Sequence, residues 1–118
     1  MITHPTAEQL ARAVGAWIDE IRPQLDERNA FLARVAANAV ALIGRELAQG
    51  AEIEAAAADR FAKLLGFTGG YEELSAELCA RLRAGVYGVQ TPGLLAALKA
   101  SALDQLAIDQ PNYKHEAL

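Results

Sequence analysis

Residues 34–46, RVAANAVALIGRE, are apolar almost all the way round a helix, yet Arg34, Asn38 and Arg45 fall on one line along it. At ~100° and ~1.5 Å per residue the three project within ~40° of one another, and the two arginines stand ~16 Å apart along the axis. Phe31, Val35, Leu42, Ala39, Leu32, Ile43, Ala36, Leu47, Val40 and Ala33 sweep most of the circumference. A helix apolar on most sides is touched by neighbours on several faces. This segment is therefore expected to be the central helix of the fold. Asp26 fits its N-cap and Gly50 a left-handed stop, which gives a second helix of about 27–49. The small residues Ala36, Ala37, Ala41 and Gly44 would let neighbouring helices come close.

Four further helices follow from the same reasoning. Upstream, Thr6 and Gln9 have capping-box spacing, and Leu10, Val14, Trp17, Ile18 and Ile21 recur at helical intervals until Pro23 ends or kinks the run. Downstream, a third helix of about 51–65 carries Ile53, Ala57, Phe61, Leu64 and Leu65 and closes at Gly66. A fourth, about 71–84, carries Leu74, Leu78 and Leu82, an exposed Glu77–Arg81 pair, and Gly85 as its stop. Thr91-Pro92 opens a fifth as cap residue and first helical proline, running to about Asp109 on Leu94, Leu95, Leu98, Ala102, Leu103 and Leu106. No alternating strand pattern or internal repeat is present, and alanine, the best helix former, occurs 26 times. With short connections, these elements predict an all-α, single-domain five-helix bundle, mostly antiparallel, over 1–118, frayed at 1–5 and 114–118.

Composition narrows the function. A net charge of -4 with no Lys/Arg cluster argues against a phosphate-backbone binder, so no nucleic acid is expected. One cysteine allows no internal disulfide, and neither a signal peptide nor a membrane span stands out, which together predict a cytoplasmic protein away from membranes. His4 and His115 lie at the termini, Ser75 and Ser101 have no histidine near in sequence, and no acid–histidine spacing suggests a metal. No catalytic residue, metal or cofactor is assigned. Cys79, flanking the Leu74–Leu78–Leu82 stripe, reads as a small packed residue, and the tyrosines Tyr71 and Tyr87 as loop aromatics.

Two readings of the arginine line stay open. It is either a seam, in which the arginines cover apolar neighbours and pair with Asp19, Glu20 or Asp109, or a groove that holds an anion. Gln105 and Asp109 likewise mark either the end of the core or one wall of a polar pocket.

FLARVAANAVALIGREL, LCARLRAG and LLAALKASALDQLAIDQPNY resemble the segments of a small bacterial family of uncharacterised function. Its members read R-V-A-A-N-A-L-x-I-x-x-R-E-L and L-A-I-x-N-P-x-Y. The match falls on Arg34, Asn38, Arg45 and Glu46, on Arg83 and Gly85, and on Pro111 and Tyr113, with Gln110 where the family has asparagine. Members are commonly encoded beside aminoglycoside-phosphotransferase-like kinases and acyl-CoA dehydrogenases. The resemblance therefore implies an accessory module for such a partner, or a binder of an anionic acyl-CoA-type ligand at Arg34, Asn38, Arg45 and Asp109. A chain of this size has no room for a dehydrogenase fold itself. A homo-oligomer formed through alanine-rich faces is the third expectation.

Overall fold

The computed structural model describes residues 3–114 and is helical throughout its regular elements. His115 and most of the C-terminal segment expected to fray lie outside the described residues. The helices are α1 (Ala7–Ile21), α2 (Glu27–Leu65), α3 (Tyr71–Arg83) and α4 (Leu94–Asp109), with a 3-10 turn, Arg22–Gln24, after α1. The chain divides into two compact units at Gly50/Ala51.

Four helices thus replace the five expected, because the second and third are one helix of 39 residues. Gly50 is not a stop. The glycines with positive φ are Gly66, Gly85 and Gly93, and Gly50 is not one of them. A glycine inside a helix costs about 1 kcal/mol against alanine. Its flanks, RELAQ before and AEIEAAAA after, are strong helix formers, and stopping here would forfeit a turn of backbone hydrogen bonds. The Glu46 carboxylate lies over Gly50, where a Cβ would stand 2.6 Å from its Oε1.

The other boundaries have local causes. Thr6 and Gln9 form the capping box, with Thr6 N–H donating to Gln9 Oε1 at 2.8 Å and Gln9 N–H to Thr6 Oγ1 at 3.1 Å. Asp26 Oδ1 accepts from Asn29 N–H at 3.1 Å and caps α2. Gly66, at φ 84, follows the end of α2. α3 closes in a Schellman arrangement, in which Gly85 N–H donates to Leu82 O at 3.2 Å and Val86 N–H to Arg81 O at 3.0 Å. The start of the last helix differs from expectation. Thr91–Leu94 is a type II turn, closed by Leu94 N–H on Thr91 O at 3.2 Å, with Gly93 at φ 81 and ψ -10. Proline at the second position and glycine at the third suit that turn, so Pro92 lies before the helix and not at its first position.

The second unit has a conventional core. Ala57, Phe61 and Leu65 of α2 meet Leu74 and Leu78 of α3 and Leu94 of α4, and Leu74 is fully buried. Tyr71 stacks on Phe61 with ring centroids 6.2 Å apart. The buried residues of α4 include Leu94, Ala97 and Ile108, whereas Leu95 is exposed. Ser101 and Asp104 fall in the same a/d-type register, and Arg60 of α2 meets both, donating to Ser101 Oγ at 3.2 Å and Asp104 Oδ2 at 2.8 Å. Tyr87 is not a free loop aromatic. It packs on this core, its hydroxyl donates to Leu64 O at 2.9 Å, and it accepts from Arg81 Nη1 at 2.8 Å. The Glu77 carboxylate on Arg81 Nε at 3.0 Å, followed by the Tyr87 hydroxyl, raises the guanidinium pKa above its ordinary value. Cys79, expected to be packed, is exposed, because the buried stripe of α3 is carried by Leu74 and Leu78.

If α2 runs unbroken through Gly50, Gly50→Ala should raise stability by about 0.5–1 kcal/mol as Glu46 swings aside. Gly66→Ala should instead cost about 1–2 kcal/mol, since it forces a side chain into the left-handed region. Urea unfolding followed by circular dichroism reads both, and a loss of stability in Gly50→Ala would mean that the helix breaks there.

Candidate functional site

In the first unit, α1 and the beginning of α2 form an antiparallel hairpin whose seam is built from small residues. A Cβ on Gly15 would stand 3.8 Å from Val40 Cγ1, and one on Gly44 would stand 3.9 Å from Ala11 Cβ. Residue 15 thus lies beside 40 and residue 11 beside 44, and the helices approach with little side-chain volume between them. Ala37 is the apolar residue of this hairpin that is buried, at 9% exposure. The expectation of a central, enclosed second helix is therefore corrected. Phe31, Leu32, Val35, Leu42, Ile43 and Leu47 are all exposed, Ile43 at 54%.

The seam fixes what each side of the hairpin presents. One side holds a hollow of about 490 Å³ lined by Glu8, Arg12 and Asp19 of α1 and by Ala41, Arg45 and Gln49 of α2. Its charges are mixed, and Arg12 Nη2 is held by Glu8 Oε1 at 2.7 Å. With these residues on one side, the ~100° step places Leu10, Val14, Trp17 and Ile21 of α1 on the other. Leu32, Ala36, Ile43 and Leu47 of α2 fall on that same side. This apolar face crosses both helices, and the charged residue that borders it on α2 is Glu46, whose carboxylate lies over Gly50. Trp17, the single tryptophan of the chain, is 58% exposed in it.

The structure separates the residues singled out by the sequence. Arg45 lines the mixed-charge hollow. Arg34 lines a different one of about 530 Å³ at the hairpin turn, with Arg22, Pro23, Leu25, Glu27 and Phe31, and its guanidinium carbon sits 5.9 Å from the Phe31 ring centroid. Asn38 is exposed and lines neither of these two hollows. Asp19, considered as a partner for the arginine line, is 3.2 Å from Arg22. Glu46 lies over Gly50. Arg83 is exposed in the last turn of α3, where a cation suits the helix dipole. Asp109 and Tyr113 do come together, lining a shallow hollow of about 440 Å³ with Gln105, Leu106 and Gln110. There Gln105 Nε2 donates to Asp109 Oδ1 at 3.0 Å.

Two features were missed in the sequence. The Arg60–Ser101–Asp104 contact was signalled by two polar residues standing in register with Leu94, Ala97 and Ile108. The outward apolar face was signalled by Ala11, Gly15, Ala37 and Gly44, which compete with the large residues for the seam. Among the described residues there is no group of three His, Cys, Asp or Glu side chains that could hold a metal ion, and no helix is long and apolar enough to cross a membrane.

The close seam makes a specific demand. Gly44→Ala should be accommodated, whereas Gly44→Leu should cost about 1–3 kcal/mol by forcing α1 away from α2. Thermal unfolding measures this, and a Gly44→Leu variant as stable as the parent would mean that the helices do not meet there.

No curated protein and no solved structure matches the chain. One family profile does, described as a domain of unknown function (DUF6285), over residues 23–113. The match begins after α1 and takes in α2, α3 and α4. Since it spans well over half of the sequence, the chain belongs to this family of unknown function.

Proposed function

We propose that the chain is a non-catalytic protein-interaction module whose working part is the α1–α2 hairpin. One observation carries this reading. Large apolar side chains on both helices, among them Trp17, Leu32, Ile43 and Leu47, are about half exposed, while alanine and glycine fill the seam between the helices. A contiguous apolar patch with charge only at its edge is costly in water and is characteristic of a surface that another protein covers. Phe31, Val35 and Leu42 add a second, narrower stripe further round α2.

The partner we favour, on the sequence resemblance alone, is an aminoglycoside-phosphotransferase-like kinase or an acyl-CoA dehydrogenase in a bacterial cytoplasm. The chain would serve it as an accessory subunit. The alternative, an anionic acyl-CoA-type ligand held by Arg34, Asn38 and Arg45, draws less support. It needs all three residues in one cleft, whereas Arg45 and Arg34 line separate hollows and Glu8 and Asp19 offset the positive charge beside Arg45.

The test is recovery of the tagged protein from its own cells, with proteins bound to it, including untagged copies of itself, identified and quantified. The parent should retain a stoichiometric protein that is lost in Leu32→Glu/Ile43→Glu or in Phe31→Glu/Val35→Glu, with helix content unchanged. Identical recovery from the parent and both double variants would contradict the reading.

A further inference from the structure

The hairpin's wider face has a shape that selects its occupant. We infer that it is covered by the same face of a second copy of this chain, so that two hairpins close into a four-helix bundle about a two-fold axis. The inference rests on the reading of the hairpin as an interaction surface and commits that surface to one partner.

Three observations favour a second copy. The first is self-complementarity. In the register that sets residue 15 beside 40 and 11 beside 44, Trp17 stands at the level of residues 36–39, where α2 presents Ala36 and Ala39. The face therefore carries a large projection and, next to it, a patch of small side chains. A two-fold axis places each projection over the other copy's small patch, as an interface made of one surface meeting itself requires.

The second observation is charge. The chain carries a net charge of -4, so two copies repel weakly at long range. The centre of the face, around Val14 and Trp17 on α1 and Ala36 and Ile43 on α2, brings no charged residue against its own image, and Glu46 borders it with its carboxylate folded over Gly50. A partner recognised by electrostatic complementarity would find nothing to pair with here.

The third is area. The exposed parts of Leu10, Val14, Trp17, Leu32, Ile43 and Leu47, about half of each residue, amount to roughly 600 Å² per copy if covered completely, or about 1,200 Å² for a symmetric pair, the lower limit of specific interfaces. Two antiparallel hairpins stacked on such faces supply the four helices around one apolar core that a bundle needs. The alanine and glycine seam of a single hairpin supplies no such core.

The test is light-scattering mass of the purified full-length protein from low micromolar to near-millimolar concentration, for the parent, Trp17→Arg, Ile43→Glu and, as a control on the other flank of α2, Phe31→Glu. The parent and Phe31→Glu should reach twice the 12.6 kDa chain mass. Trp17→Arg and Ile43→Glu should dissociate roughly thirtyfold more readily or worse, the loss expected at the centre of an interface. Circular dichroism confirms that each variant remains helical, and Leu32→Glu serves as the substitute for any that does not. A parent that is monomeric throughout overturns the inference while leaving the face open to a different protein, which the recovery experiment would still detect. A dimer that survives Trp17→Arg and Ile43→Glu overturns it as well, and one that is then lost in Phe31→Glu moves the self-contact to the other flank of α2.

Discussion

The close approach of α1 to α2 through Gly15, Val40, Gly44 and Ala11 determines what the hairpin exposes. A helix has limited circumference, and a seam made of small residues must leave the large ones elsewhere. Leu10, Val14 and Trp17 on one helix and Leu32, Ile43 and Leu47 on the other are turned outward for this reason. A seam built on the leucines and the tryptophan would bury more apolar area within one chain. The observed seam instead gives close backbone contact and leaves the apolar surface free to be covered from outside.

The second unit works the other way. Its large apolar residues, Phe61, Leu65, Leu74, Leu78 and Leu94, point at one another. Its polar side chains near the core are matched, with Arg60 meeting Ser101 and Asp104, and Arg81 joining Glu77 to Tyr87 and through it to the Leu64 carbonyl. Groups removed from water keep partners there, so that burial carries little penalty. The contrast assigns the units different tasks. The second encloses its large apolar side chains, whereas the first, on the reading proposed above, presents them for contact.

Much of the helical plan was legible in the sequence because its signals are local. The Thr6–Gln9 box, the Asp26 cap and the glycines after α2 and α3 act within one turn of chain, and their residue types state their roles. Gly50 misled because glycine alone does not distinguish an interior helical position from a left-handed stop. The decision lay in the helix-forming residues on both sides. Thr91-Pro92 misled because Gly93 converts a helix-start signal into a turn. Facing was harder than helicity. Periodicity identified Leu10, Val14 and Trp17 as one stripe but could not say whether it met α2 or solvent, since the competing line of Ala11 and Gly15 was equally regular. The residues of the arginine line project together on a helical wheel, but a wheel discards distance along the axis. Arg34 and Arg45 are far enough apart to line different hollows.

The central claim, that the outward face of the hairpin is covered by the same face of a second copy, is open to one direct reading, because Trp17 is the only tryptophan. Its emission maximum and acrylamide quenching, followed as the purified protein is diluted, report the state of that face and nothing else. The account predicts a shielded, blue-shifted indole at high concentration that moves to the red and becomes readily quenched on dilution. An indole as open to acrylamide at the highest concentration as at the lowest would contradict it.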